Sequence, residues 1–130
     1  MSSNVTYKYI RQNPDIHTYI KNADAAVKAQ GYTEHSFAHV EKVADTVKMI
    51  LEGLGYDERK VELGMIAAYL HDIGNVINRI DHAQSGAVMA FRILDKMGAD
   101  AAELSTVISA IGNHDEKTAF PVNPVAAALI

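Results

Sequence analysis

Apolar residues recur every three or four positions along most of this chain, and this spacing is typical of helices that bury one face. Five segments show it, at about 14–30, 36–52, 57–71, 82–97 and 100–111. The stripe of the first segment consists of Ile16, Tyr19, Ile20, Ala23 and Val27. No segment alternates apolar and polar residues between hairpin turns, so the sequence predicts helices and no strands.

Helix-starting signals support these segments. Asn13-Pro14 provides a capping side chain followed by a proline in the first turn. Asp57 can cap the third helix in the same way. Two further pairs, Asp81 with Gln84 and Asp100 with Glu103, resemble capping boxes at the starts of the fourth and fifth helices.

The last segment begins like the first. Asn123-Pro124 repeats the starting signal, but only six residues follow, and so short a helix is marginal on its own. The sequence therefore predicts one all-α domain over residues 1–130, with five helices plus a short C-terminal helix. We expect this last helix to be truncated and the chain to be the N-terminal part of a longer protein.

Composition and charge limit the partners and the location. The net charge is −4, with 12 Lys and Arg scattered among 16 Asp and Glu, whereas nucleic-acid binding needs a concentrated basic face. The absence of cysteine excludes disulfides, thiolate zinc sites and cysteine nucleophiles. Neither a signal peptide nor a run of ~20 apolar residues is present. We expect a cytoplasmic protein that binds neither nucleic acid nor membrane.

The histidines fall near the predicted helix ends. His39 lies early in the second helix, His71 and Asp72 end the third, His82 begins the fourth, and His114 follows the fifth. Antiparallel helices could bring these side chains together inside a bundle, where helical folds build metal sites. A single histidine near a helix end is more often a hydrogen-bonded surface residue, so only the set of five favours a metal site.

The two remaining histidines carry no such signal. His17 has no partner signature, and we expect its helix to pack on the bundle without supplying a ligand. His35 and His39 are spaced as in helical zinc sites, but the segment between them lacks the glutamate of a metalloprotease motif. The metalloprotease interpretation therefore fails.

The order of these residues resembles the HD superfamily of metal-dependent phosphohydrolases. The resemblance rests on four blocks: AHVEKVA at 38–44, AAYLHDIG at 67–74, DHAQSGA at 81–87 and AIGNHD at 110–115. It implies that His39, His71 and Asp72 bind a first metal ion. It further implies that Asp72 bridges to a second ion, which His82 and His114 also bind.

The resemblance also implies an activity. Imidazole and carboxylate ligands suit Mn, Fe, Co, Ni or Zn without selecting one, so we expect one or two divalent metal ions. Ions bridged by the catalytic Asp72 would lie ~3.5–4 Å apart and would activate water for in-line attack on phosphorus. The implied substrate is a phosphomonoester or phosphoanhydride of a nucleotide, and no protein nucleophile is required.

Two features depart from the family pattern. The family completes its first metal site with an Asp on a later helix, and residues 1–130 end before such an Asp. Water or Asp115 could replace it, and we expect weak or no activity from these residues alone and metal-dependent phosphate release by a longer form. The cyclic-di-GMP phosphodiesterase branch has Lys after His-Asp-Ile-Gly and a Gly-Tyr-Pro tripeptide. Asn75 and the lack of that tripeptide disfavour this branch.

Two cations are candidates for substrate binding. Arg79 lies in the loop before His82, and Lys42 lies one helical turn after His39. Arg79 is the better placed of the two, although it is equally well explained as a solvated loop residue, and Lys42 ranks second. Two other functions also remain open: a di-iron oxygenase-like enzyme, and a non-catalytic metal-binding domain for sensing or oligomerisation. A homo-oligomer is compatible with the sequence.

Overall fold

The computed structural model describes residues 5–31, 37–115 and 119–130. Within these ranges the chain forms seven α-helices and one 3-10 helix and contains no strand, so the all-helical fold class is confirmed. The α-helices are α1 (Tyr7–Gln12), α2 (Pro14–Ala29), α3 (Phe37–Gly53), α4 (Glu58–Leu70), α5 (His82–Lys96), α6 (Ala101–Gly112) and α7 (Pro124–Leu129). The 3-10 helix, Ile73–Val76, lies between α4 and α5.

Polar side chains cap four helices where the sequence predicted them. Asn13 accepts hydrogen bonds from two backbone N–H groups of α2. Asp57, Asp100 and Asn123 each accept one at the starts of α4, α6 and α7. Each capping oxygen satisfies an N–H group that has no partner within its own helix.

The start of α5 differs from the prediction. Asp81 has φ 56° and ψ 28°, which is left-handed backbone, and its side chain caps no N–H group. The side chain of Gln84 instead donates to the backbone carbonyl of Gly112 on α6 at 2.8 Å. The capping box predicted at these two residues is therefore wrong, because Gln84 finds its partner in another helix.

Helix α1 was not predicted. It is six residues long, and Thr6 caps it by accepting a hydrogen bond from the Tyr9 N–H. Ile10 is fully buried, and the ring of Tyr7 packs edge-on against Tyr69 of α4 with centroids 5.8 Å apart. Six residues are too few to show a clear helical period, so this helix depends on its packing against the rest of the bundle.

Helices α2 and α7 both bury apolar faces. In α2 the buried residues are Ile16, Ile20, Ala23 and Val27, whereas Tyr19 is 36% exposed. The short helix α7 contacts α3, α4 and α6, and its Val125 is fully buried. Tertiary contacts thus stabilise a helix whose length alone would leave it marginal. No helix in the described ranges is long and apolar enough to span a membrane.

The backbones of the 3-10 helix and α5 are in direct contact. A Cβ atom added to Gly74 would overlap the carbonyl oxygen of His82 and would lie 2.5 Å from the backbone nitrogen of Gly86. A Cβ atom on Gly86 would lie 3.3 Å from the Gly74 nitrogen. The two glycines therefore permit an approach that brings the chain after Asp72 against the first turns of α5.

Candidate metal centre

Asp72 lies at the centre of four histidines. Its Oδ2 atom is 3.3 Å from Nε2 of His39 and 3.1 Å from Nε2 of His71. Its Oδ1 atom is 3.5 Å from Nε2 of His82 and 3.6 Å from Nε2 of His114. The structure thus brings all five predicted metal ligands together, and each carboxylate oxygen faces a different pair of imidazoles.

Four parts of the bundle supply these side chains. His39 is in the first turn of α3, and His71 and Asp72 directly follow α4. His82 is the first residue of α5, and His114 lies two residues beyond the end of α6. The cluster therefore forms where several helix ends meet, and its geometry depends on how those helices pack.

The ligand atoms form two groups that share Asp72. One group contains His39 and His71, the other contains His82 and His114, and within each group all ligand atoms lie within 4.8 Å of one another. Two ligand atoms that each lie ~2.1 Å from one ion are about 3.0–3.4 Å apart when the ligand–ion–ligand angle is between a right angle and the tetrahedral angle. The contacts of Asp72 are close to that separation, so each group fits a divalent ion with small adjustments.

Three of the imidazoles are oriented by the same type of hydrogen bond. Nδ1 of His71, His82 and His114 lies 2.5, 3.0 and 2.6 Å, respectively, from the backbone carbonyl oxygen three residues earlier. A carbonyl oxygen only accepts, so each Nδ1 carries a proton, and in the neutral ring Nε2 is unprotonated. In this neutral form each Nε2 points a lone pair at the cluster, as a metal ligand requires.

The contact between His82 and His114 fits a cation most directly. Their Nε2 atoms are 3.1 Å apart, and the two side chains are only 5% and 9% exposed. With both Nδ1 atoms donating to carbonyl groups, two lone pairs would face each other in a buried place. This contact is repulsive unless a proton or a metal ion lies between the nitrogens.

Burial and charge set the protonation of the cluster. Burial raises the pKa of Asp72, but the positive charge of His71 in its protonated form, and the hydrogen bonds that His114, His39 and His71 donate when Nε2 carries a proton, outweigh burial and hold this pKa far below its usual value. Burial also lowers the pKa of His82, as do the charges of Arg79 and His114. An ionised carboxylate beside neutral imidazoles is the state in which these groups bind divalent ions.

Asn75 connects Arg79 to this cluster. Its side chain is fully buried, and Nδ2 donates to the backbone carbonyl of Asp72 at 2.9 Å. Its Oδ1 accepts from Nη1 of Arg79 at 3.4 Å. The sequence distinguishes Asn75 only as a departure from one branch of a family. No local pattern signalled that its amide would be buried between Asp72 and Arg79.

The remaining candidates lie away from the two ligand groups. Lys42 is exposed, and in the described part of the chain no hydrogen bond or ion pair joins its ammonium group to the cluster. Asp115 approaches Nδ1 of His82 at 3.9 Å and belongs to neither group, so it does not complete the group of His39 and His71. His17 stacks on Phe37 outside both groups.

His35 lies outside the described residues.

The chain is similar to known proteins over most of its length. The family model described as HD domain matches residues 36–122, which include all five predicted ligands. The uncharacterized protein MJ1020 of Methanocaldococcus jannaschii is 27% identical over 132 residues, covering 85% of this chain and 51% of that protein. The chain therefore spans about half the length of this curated relative. No solved structure matches the chain significantly.

Proposed function

Because this chain belongs to the HD domain family, within a superfamily of metal-dependent phosphohydrolases, we propose that it hydrolyses a phosphomonoester or phosphoanhydride. The observation that carries the proposal is the position of Asp72 between two pairs of imidazoles. The nucleotide character of the substrate is proposed from the family resemblance alone.

Each side chain has a defined part in this proposal. His39 and His71 would hold one ion, His82 and His114 would hold the other, and Asp72 would contribute to both. Divalent ions would supply Lewis-acid activation of water and charge neutralisation of the phosphoryl group. The hydrogen bonds at Nδ1 fix three imidazoles before any ion binds, so little reorganisation is needed.

Arg79 is proposed to receive the substrate phosphate. Its guanidinium group hydrogen-bonds to Asn75, which is itself bonded to the backbone of Asp72. A planar guanidinium group matches two phosphate oxygens and keeps its charge at every physiological pH. This cation would therefore complement the two metal ions by holding the oxygens that they do not contact.

The proposal is tested by phosphate release from metal-loaded protein. The protein would be stripped with a chelator, reloaded with Mn²⁺, and assayed on nucleotides and p-nitrophenyl phosphate. We expect Asp72→Ala to lose its metal and to lower the rate about 100-fold or more, because this residue contacts both ions. His17→Ala is the matched control, since His17 lies outside both ligand groups.

Two results would contradict the proposed hydrolysis. Unchanged metal content and turnover in Asp72→Ala would contradict the proposed mechanism. Consumption of O₂ by the Fe(II)-loaded protein, without phosphate release, would instead support the oxygenase-like alternative.

A further inference from the structure

We infer that the two metal positions differ in affinity and are filled in order. The position between His82 and His114, called the inner position below, binds an ion first and holds it tightly. The position beside His39 and His71, called the outer position, binds a second ion that exchanges readily. The inference rests on the metal-binding part of the proposed function, because it presupposes that the cluster binds divalent ions.

The donors of the inner position are already oriented. Nδ1 of His82 and of His114 each contacts a backbone carbonyl, at 3.0 and 2.6 Å. Their Nε2 atoms are 3.1 Å apart, which is close to the separation expected around a single ion. Binding there requires little change of side-chain conformation, and such preorganisation increases affinity.

The outer position includes a more exposed donor. The side chain of His39 is 37% exposed, whereas those of His82 and His114 are 5% and 9% exposed. A partly exposed imidazole is better hydrated than a buried one, so it loses more water when it binds an ion. This cost weakens the outer position relative to the inner one.

A hydrogen bond between α5 and the end of α6 also fixes the relative positions of the two inner ligands, His82 and His114. Gln84 lies two residues after His82, and its side chain donates to the Gly112 carbonyl, two residues before His114, at 2.8 Å. The contact between Gly74 and the first turns of α5 limits movement of the same segment. The inner position is thus built on two helices that are joined beside the site.

Because the two ions would share the carboxylate of Asp72, we expect them to bind one after the other. A first ion would neutralise the charge of Asp72, and a second ion held by the same carboxylate would lie close to the first. The repulsion between the two cations weakens binding of the second. Since the inner position is preorganised, it is the one that the first ion occupies.

Titration of metal-free protein with Co²⁺ tests this order. Calorimetry and the visible absorption of Co²⁺ would report two steps in the wild type, and we expect the first to be about tenfold tighter or more. After dialysis against metal-free buffer, elemental analysis is expected to find one ion per chain. Neither readout depends on catalytic activity.

Two matched substitutions assign the steps. His39→Gln is expected to keep the tight step and lose the weak one. His82→Gln is expected to lose the tight step, and His114→Gln provides a second test of the inner position if His82→Gln does not fold. Circular dichroism identifies the variants that retain their helices.

Each result has a clear consequence. Tight binding that survives in His82→Gln but is lost in His39→Gln would overturn the inference, and so would two steps of equal affinity. Either result would leave a metal-dependent function in place. Failure of the folded wild type to bind any ion would overturn the proposed function as well. Ordered binding without phosphate release would overturn only the proposed function.

Discussion

Arg79 is linked to the candidate centre through both its side chain and its backbone. Nη1 donates to Asn75 at 3.4 Å, and the backbone carbonyl accepts from Nδ1 of His82 at 3.0 Å. The hydrogen bond to the Arg79 carbonyl orients His82, which is a predicted metal ligand. The hydrogen bond to Asn75 holds the positive charge of the Arg79 side chain near this histidine. Lys42 is exposed and shows no such link within the described residues. Arg79 is therefore the better candidate for contact with substrate.

Kinetics of two alanine variants test this choice. We expect Arg79→Ala to raise the KM for a hydrolysed phosphate ester about 10- to 100-fold, because a charge-assisted hydrogen bond contributes about 1.5–3 kcal/mol. Lys42→Ala, the matched control, is expected to stay within about twofold of the wild type. Steady-state rates on Mn²⁺-loaded protein provide the measurement. A larger rise in KM for Lys42→Ala would show that the assignment is wrong.

At the scale of elements, the crossing between the 3-10 helix and α5 positions the centre. Asp72 directly precedes the 3-10 helix, and His82 begins α5, so the contact of these two backbones sets the distance between their side chains. Gly74 is required because a Cβ atom there would overlap backbone atoms, which cannot rotate away as a side chain can. The reason is therefore close approach, and Gly74 needs no unusual φ angle.

Substitution of Gly74 tests this crossing. We expect Gly74→Ala to lower the free energy of unfolding by about 2–3 kcal/mol, since overpacked sites must displace their neighbours, and to weaken metal binding by moving His82. A Cβ atom at Gly53, near the end of α3, meets nothing within 4 Å. Gly53→Ala is therefore expected to be neutral or to stabilise by up to about 1 kcal/mol. Equal urea midpoints for the two variants would refute the close contact.

At the scale of the whole molecule, Arg59 connects three distant parts of the chain. Its Nε and Nη2 atoms donate to the two carboxylate oxygens of Glu103 on α6, both at 2.7 Å. Its Nη1 donates to Glu62 at 2.6 Å and to the backbone carbonyl of Val5 at 2.9 Å. One guanidinium group on α4 thereby joins α6 and the segment before α1.

This network predicts a specific dependence of stability on pH. The hydrogen bonds from Arg59 lower the pKa of Glu103, and they outweigh burial, which raises it. A carboxyl group with a lower pKa in the folded chain stabilises the fold above its unfolded pKa of about 4.3, and this contribution is lost as the pH falls through the folded value. Glu103→Gln is therefore expected to destabilise at pH 7 and progressively less below about pH 4.

Urea unfolding at several pH values measures this effect. The pair is partly exposed and screened by solvent, so we expect a loss of about 1 kcal/mol or less at pH 7. Glu41→Gln is the matched control, because Glu41 pairs with Arg11 at 3.3 Å on the exposed surface. A difference between Glu103→Gln and the wild type that is the same at pH 7 and pH 3 would contradict the proposed linkage.

Much of the helical architecture could be predicted from short stretches of sequence. The apolar periods placed five helices with bounds close to those observed, and the caps at Asn13, Asp57, Asp100 and Asn123 were predicted. Such signals depend on residues within a few positions of one another, so they are present in the sequence before any tertiary contact forms. Asp72 and the four histidines around it were also named from the sequence.

Tertiary packing decided what these local signals could not. Packing stabilises the helix Tyr7–Gln12, where the Tyr7 N–H donates to Glu62, 55 residues away. The side chain of Gln84 binds the carbonyl of Gly112, 28 residues away, although a similar pattern at Asp100 produces a local cap. Packing also orients the imidazoles of His82 and His114 toward each other, 32 residues apart. A side chain takes the partner that the packed helices offer, and a local pattern does not contain that partner.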